Sequence, residues 1–541
     1  MLIRIMCVSF FAIGLMAQQP ETAPPPAVPA SYRISGTVVD AVSLAPLVQT
    51  KVAIAPVTAR NALRTVVTGE DGRFVFDNVT RGKYSLEAQQ RGYALQGFEQ
   101  HEGYATAIAA GPGLTSDSLV FRLRPDASIS GKIMDGQNEP VSNDAQVMLF
   151  QASVESGRLR TRARDQVGTD DQGYFHFPHL PPGKYFVAVS ARPWYATYAP
   201  PAPGVSRPMP PTQPQPLDVA YPVTFYPGVT EAGDATPIVL QAGDRFVADV
   251  VLRAVPAMRL RYKSSNTEGS QFLHLRLAQR FFGDTETSLR SQNEVGGGDI
   301  REIVGLAPGH YIVHVQSMRD PRAAGFAREL DLTGNTDFDL EDAPASASVS
   351  GTVKFEGLTA SPQAALIQFR DTRSGQLISA QVSAGGVFQL QLPAGIYDIR
   401  VGNVPELFER ELSASGAKVA GRRLQISGAE PVQLTVVMSG GLGRVEGTAS
   451  REGKPVAGAM VVLVPQEDPE NNVPLFRRDQ SDSDGTFVLP QVLPGGYTVI
   501  AIENGWELEW ANPATLKKYL AGGQAMQVEA NGKYNVEVKV Q

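Results

Sequence analysis

The sequence predicts an all-β chain: a tandem array of about five antiparallel β-sandwich domains behind an N-terminal signal peptide. Two recurring stretches carry this prediction. The first is a turn–strand–turn–strand cassette. Thr169–Tyr185 reads TDDQGYFHFPHLPPGKY, Thr68–Tyr84 reads TGEDGRFVFDNVTRGKY, and Asp482–Tyr497 reads DSDGTFVLPQVLPGGY. In each, one glycine (Gly72, Gly173, Gly485) precedes another (Gly82, Gly183, Gly495) by ten residues, and a tyrosine (Tyr84, Tyr185, Tyr497) follows two later. Gly386–Tyr397 is the same pattern one residue shorter, and Gly298–Tyr311 is a degraded copy. The second stretch is an opening strand: Ile34-Ser-Gly, Ile129-Ser-Gly, Val349-Ser-Gly and Val445-Glu-Gly. Its glycines are Gly36, Gly131, Gly351 and Gly447, and the middle interval is wide enough for two units.

The chemistry of the cassette explains why it makes a hairpin. The Gly in the first turn supplies positive φ, and the Asp beside it bonds its own backbone. Phe74 and Phe76, Phe175 and Phe177, and Phe487 and Leu489 sit at i and i+2, so each pair faces one side of a strand. A hairpin with one apolar face must bury it against a second sheet. Short strands with turn signals every 8–12 residues give a sandwich.

The units then follow in order. Met1–Ala17 has Arg4 and a mostly apolar run, and reads as a secretory signal peptide at 1–17, with a retained anchor as the alternative. Residues 18–30 form an extended Pro-rich linker. The sandwiches are expected at 31–125, 126–254, 255–343, 344–440 and 441–541. The third is divergent: it begins near Met258 and has lost the Ser-Gly signature. The second carries a Pro-rich insertion of polyproline character at 191–217. Pro513–Leu520 is expected to be a short helix, with Asn512 as its cap and Pro513 in its first turn. Short linkers make the array an extended rod or a curved stack.

Composition bounds the function. A chain of 541 residues, 43% hydrophobic, holds several cores. A formal net charge of −7 argues against nucleic acid or an anionic membrane as partner. The single cysteine, Cys7, lies in the N-terminal apolar run, so a mature chain has neither disulfide nor thiol chemistry.

The opening I-S-G-x-V, the D/Q-G-x-F-x-F turn and the L-P-x-G-x-Y hairpin resemble the carboxypeptidase regulatory-like domain. The resemblance implies a transthyretin-like (prealbumin) sandwich, grouped near carbohydrate-binding-like folds. It also implies a secreted bacterial tandem-repeat protein, and no peptidase activity.

The search for chemistry yields little. The six histidines include no H-x-x-E or H-E-x-x-H pair. His176 and His179 read as surface residues, and His310 and His314 lie about 13 Å apart on one strand face, too far to share a metal. The turn Asp482-Ser-Asp484-Gly485 resembles the start of a calcium loop but lacks the distal Glu, so it reads as a hairpin turn. No cofactor, metal or catalytic residue is expected. Aromatic residues are the sharper signal. Trp194 and Trp506 each lie nine residues after the cassette tyrosine, as does Tyr93. Trp194, Tyr195, Tyr198 and Tyr226 form one candidate carbohydrate-binding cluster, and Trp506 with Trp510 a second. A plug at the end of each sandwich is the competing reading. The expected protein is a non-catalytic secreted, periplasmic or outer-surface binding scaffold, with a polysaccharide or a surface protein as partner and no membrane span in the mature chain. An adhesion or spacer array without glycan binding, or an accessory part of a peptidase or glycosidase system, is the alternative.

Overall fold

The computed structural model describes residues 31–142, 145–196, 217–263, 273–283, 285–288, 293–297, 300–317, 326–339, 345–356, 362, 364–373, 375–404, 407–470 and 472–541. The expected signal peptide at 1–17, the linker at 18–30 and most of the insertion at 191–217, Tyr198 included, lie outside the described residues.

The described chain folds into five pairs of sheets and one small two-stranded sheet, Val219–Ala220 with Val255–Pro256. In the first unit the opening strand Tyr32–Asp40 lies between the cassette strand Arg73–Val79 and the closing strand Leu119–Leu123. The facing sheet centres on Lys51–Pro56, flanked by Arg64–Val67 and Gly82–Gln89. The other four units repeat this order. Most pairings are antiparallel. The exception is shared by all five units: the closing strand runs parallel to the opening one, as Leu119–Leu123 does beside Tyr32–Asp40 and Lys533–Lys539 beside Gly443–Arg451. A parallel neighbour needs a long crossover. Here the whole second sheet serves as that crossover.

This pairing explains the signature glycine. A Cβ at Gly36, Gly131, Gly351 or Gly447 would meet a closing-strand carbonyl oxygen at 2.2, 2.4, 2.1 or 2.0 Å. In three of these units the cassette Phe (Phe175, Phe388, Phe487) also leans within 3.0 Å of that point. The glycine is therefore the hole into which the ring fits. The third unit makes the opposite choice. At the same register positions it has Tyr262 on the opening strand and Arg301 on the cassette strand. Tyr262 is 2% exposed and pairs with Phe338 of the closing strand. The ring has moved across the ladder, so the core persists while the signature vanishes.

The repeated tyrosine is a clamp. In the fifth unit the buried Tyr497 hydroxyl lacks a partner among the described residues, but in the other four the hydroxyl donates to the carbonyl four residues back: Tyr84 to Thr80 (3.1 Å), Tyr185 to Pro181 (2.7 Å), Tyr311 to Ala307 (2.6 Å) and Tyr397 to Pro393 (2.8 Å). That bond ties down the Pro/Gly turn and satisfies a buried phenol.

Each sandwich has its own core. Two further apolar clusters lie on the outer faces of the second and fifth units. In the strand Met460–Pro465, Val461 and Leu463 face the fifth core, while Met460, Val462 and Val464 face outward beneath Trp506 and Leu516. In Gln146–Glu155, Met148 and Phe150 face outward and receive Phe281 of the third unit. Both strands contain a continuous apolar run, residues 147–150 and Met460–Pro465, the pattern of a strand buried on two sides. The array consequently curves until it closes. The fifth unit docks on the first and touches the second.

Candidate functional site

The two aromatic clusters occupy different environments. In the second unit, the strand Gly183–Ser190 ends at the core and hands the chain to Trp194 and Tyr195. Trp194 is 73% exposed, with its ring set edge-on to Tyr195 at 5.8 Å. Tyr195 bonds the hydroxyl of Tyr221, and burial followed by this bond pushes the Tyr221 phenol up. Tyr226 turns inward, packs on the core and stands perpendicular to Phe246 at 5.8 Å. The structure thus joins Trp194 to Tyr195 and places Tyr226 inward. An exposed indole beside a phenol is a flat apolar surface with a polar edge.

In the fifth unit the equivalent tryptophan is buried. Trp506 is 7% exposed, and its indole N–H donates to the Gly458 carbonyl at 3.2 Å. Its outer face stacks on His101 of the first unit, 4.9 Å between ring centres and 5° from parallel. Burial lowers the pKa of His101 and favours the neutral ring. Trp510 is half-buried nearby, and the short helix Pro513–Leu520 covers the cluster with Leu516. Asn512 caps that helix by accepting from the Ala514 N–H at 3.1 Å.

Polar residues complete this contact. The Arg478 guanidinium sits 4.7 Å from the Trp510 ring centre, 4.9 Å from Tyr104 and 5.3 Å from Trp506. It also grips Glu102 of the first unit with two bonds, at 2.5 and 3.3 Å. The Gln480 amide donates to the Glu99 carbonyl (2.8 Å) and the Thr106 hydroxyl (2.7 Å), and its oxygen meets His101 Nδ1 at 3.2 Å. The turn expected at Asp482–Gly485 forms, and its carboxylates receive a cation from within the chain. Lys83 of the first unit pairs with Asp482, bonds Thr486 and stands 3.6 Å from Asp484. Asp482 also accepts from the Ala107 N–H (3.0 Å), and the Ser483 hydroxyl accepts from the Ala109 N–H (2.8 Å). The turn therefore caps the edge strand Ile108–Ala110. Burial pushes Asp479 up to about 6, against hydrogen bonds from the Val488 and Gln480 backbone that pull it down.

The remaining candidates are structural in geometry. Tyr93, the counterpart of Trp194 and Trp506, donates to Asp40 at 2.7 Å inside the first unit. His179 meets Asp126 at 2.6 Å on the surface, and His310 meets Asp331 at 2.7 Å. Among the described residues, no three His, Cys, Asp or Glu side chains gather as a metal site. No helix among them is long and apolar enough to cross a membrane. Sequence reasoning missed His101, Tyr104 and Arg478 as partners of the fifth-unit tryptophans. The signal that pointed there is the unbroken apolar run Met460–Val464.

Comparison with known proteins supports the first unit most directly. Residues 33–113 match the carboxypeptidase regulatory-like domain. No curated protein matches the chain. Among solved structures, the streptococcal ancillary pilin is similar at 11% identity, covering 52% of this chain and 98% of its own, with a TM-score of 0.19. The shaft pilin SpaA from Lactobacillus rhamnosus GG is similar at 9% identity over 42% of this chain and 98% of its own (TM-score 0.20). BcpA, the major pilin subunit of Bacillus cereus, is similar at 11% identity over 58% and 99% (TM-score 0.15).

Proposed function

Starting from a first unit that matches the carboxypeptidase regulatory-like domain, we propose that this chain is a non-catalytic binding scaffold, exported to the envelope or beyond, and that it holds polysaccharide at Trp194. The observation that carries this reading is the contrast at one repeat position. Tyr93 bonds within its unit and Trp506 is buried against a neighbour, whereas Trp194 stands 73% exposed. An exposed indole set against a phenol is a flat apolar surface that a ligand can cover. A sugar ring presents a face of C–H groups that such a platform suits, and Tyr195 offers the polar edge. The closed array supports a scaffold role, since its five units hold the platform in a fixed frame.

Tryptophan fluorescence tests this directly. Trp506 and Trp510 are packed in the contact between units, so Trp194 is the solvent-facing reporter. Titration with a panel of polysaccharides is expected to give a saturable shift. Trp194→Ala should abolish that shift and weaken binding about tenfold or more, with an unchanged circular dichroism spectrum. A flat response across the panel would refute glycan binding and leave an adhesion scaffold for protein partners.

A further inference from the structure

We propose that the edge strand Arg158–Gly168 of the second unit is a docking strip for a linear acidic polysaccharide, read by Arg158, Arg160, Arg162 and Arg164. The inference rests on the glycan reading and adds the charge of the glycan. Arg158, Arg160 and Arg162 occupy alternate positions ahead of a β-bulge, so they share a side at a spacing of about 6.6 Å. Arg164 is the extra residue of that bulge, and its contact returns it to the same side: it donates to the Gln151 side-chain oxygen at 2.6 Å, while Arg162 lies opposite Gln151 and meets Glu155 at 3.3 Å. The strand ends its sheet, with Gln146–Glu155 as its only partner within that sheet among the described residues.

The strip is tied down at both ends. Val167 packs on the second core at the inner end. At the outer end Gly157 accepts from the Ala511 N–H at 3.0 Å, and the Leu159 N–H donates to Glu509 at 2.9 Å, both in the fifth unit. A row fixed before binding loses little entropy on binding. Three carboxylates lie along it. Glu155 is held by Arg162, Asp165 accepts from the Gln166 N–H, and Glu509 is held by Leu159 and Asn512. Arginine suits carboxylate or sulfate because its planar fork can donate two parallel bonds. Each guanidinium has five N–H donors, and Arg162 and Arg164 spend few of them on the contacts above. A glycan fits better than a nucleic acid because the same unit also carries the Trp194 platform.

The test measures affinity of the full chain for alginate, dextran sulfate, neutral dextran and an oligo-dT strand, over a range of salt. Alginate binding that weakens with salt is expected. Arg160→Gln/Arg162→Gln/Arg164→Gln should raise its dissociation constant at least tenfold, and the Arg→Lys triple should recover part of the loss. Unchanged melting of both triples would show that folding is intact. Alginate affinity unmoved by the Gln triple would overturn the strip, as would tighter binding of oligo-dT or no binding of any polyanion. In that last case the row only protects an exposed edge from pairing. The two readings fail separately: Trp194→Ala leaving every glycan unaffected sinks the platform, whereas the Gln triple leaving alginate unaffected sinks the strip.

Discussion

The second and fifth units place a tryptophan at the same point of the same repeat, and use it in opposite ways. Trp194 stands in solvent beside Tyr195, while Trp506 lies under His101 of another unit. The difference originates beneath them. Strand Met460–Pro465 is apolar on both sides, so the fifth unit has an outer face that must be covered. The first unit covers it with His101, Tyr104 and Glu102. In the second unit the outer face of Gln146–Glu155 is covered by Phe281 and Phe282 of the third unit, which leaves Trp194 out of the contact. A repeat position thus fixes where a side chain emerges, and the neighbouring unit decides what it does.

Breaking the contact at its centre should have the largest effect. Trp506→Ala removes a buried indole and is expected to cost about 3–5 kcal/mol in the unfolding of the fifth unit, read by denaturant titration. Small-angle scattering should show the array opening. If the fifth unit stays docked and equally stable, Trp506 does not hold the contact together. Arg478→Ala comes next. Its side chain is 5% exposed and serves Glu102 and three rings at once, so a loss of about 2–4 kcal/mol is expected. Arg478→Lys keeps the charge but not the planar stack, and should restore less than half. Full recovery by Lys would reduce the site to a simple ion pair.

A smaller effect distinguishes the charge at Asp479. Its folded pKa is raised to about 6 from 3.8, so its protonated form is favoured in the folded state. That contribution is fully present below about pH 4 and lost as pH rises through about 6. Asp479→Asn should therefore stabilise the fifth unit at pH 7 by about 1 kcal/mol after allowance for solvent screening, and flatten the pH profile between 4 and 6. A variant that is less stable at pH 7 would show that the carboxylate is needed as an acceptor for the Val488 N–H. Trp194→Ala should change stability least, within about 0.5 kcal/mol, because its ring is in water. A large loss there would make Trp194 structural and erase the contrast between the two units.

Much of the fold is written locally. The cassette glycines, the alternating Phe pairs and the Pro/Gly turns give hairpins from nearest-neighbour chemistry, and Asn512-Pro513 marks its helix in the same way. The third unit was harder to read because its core ring moved from the cassette strand to Tyr262, a swap between residues paired only through the sheet. The candidate site was legible only in part. Aromatic spacing located Trp194 and Trp506, but gave no sign that one is exposed and the other buried.

The sequence alone determined the strand period, the turns and the number of sandwiches, since these depend on residues a few positions apart. Only the tertiary structure decided which apolar faces meet. Lys83 pairs with Asp482, and His101 stacks on Trp506, across some four hundred residues of chain. Such contacts arise from the packing of whole units: an apolar run shows that a face is covered, but the partner that covers it and a shared ion pair leave no period in the sequence.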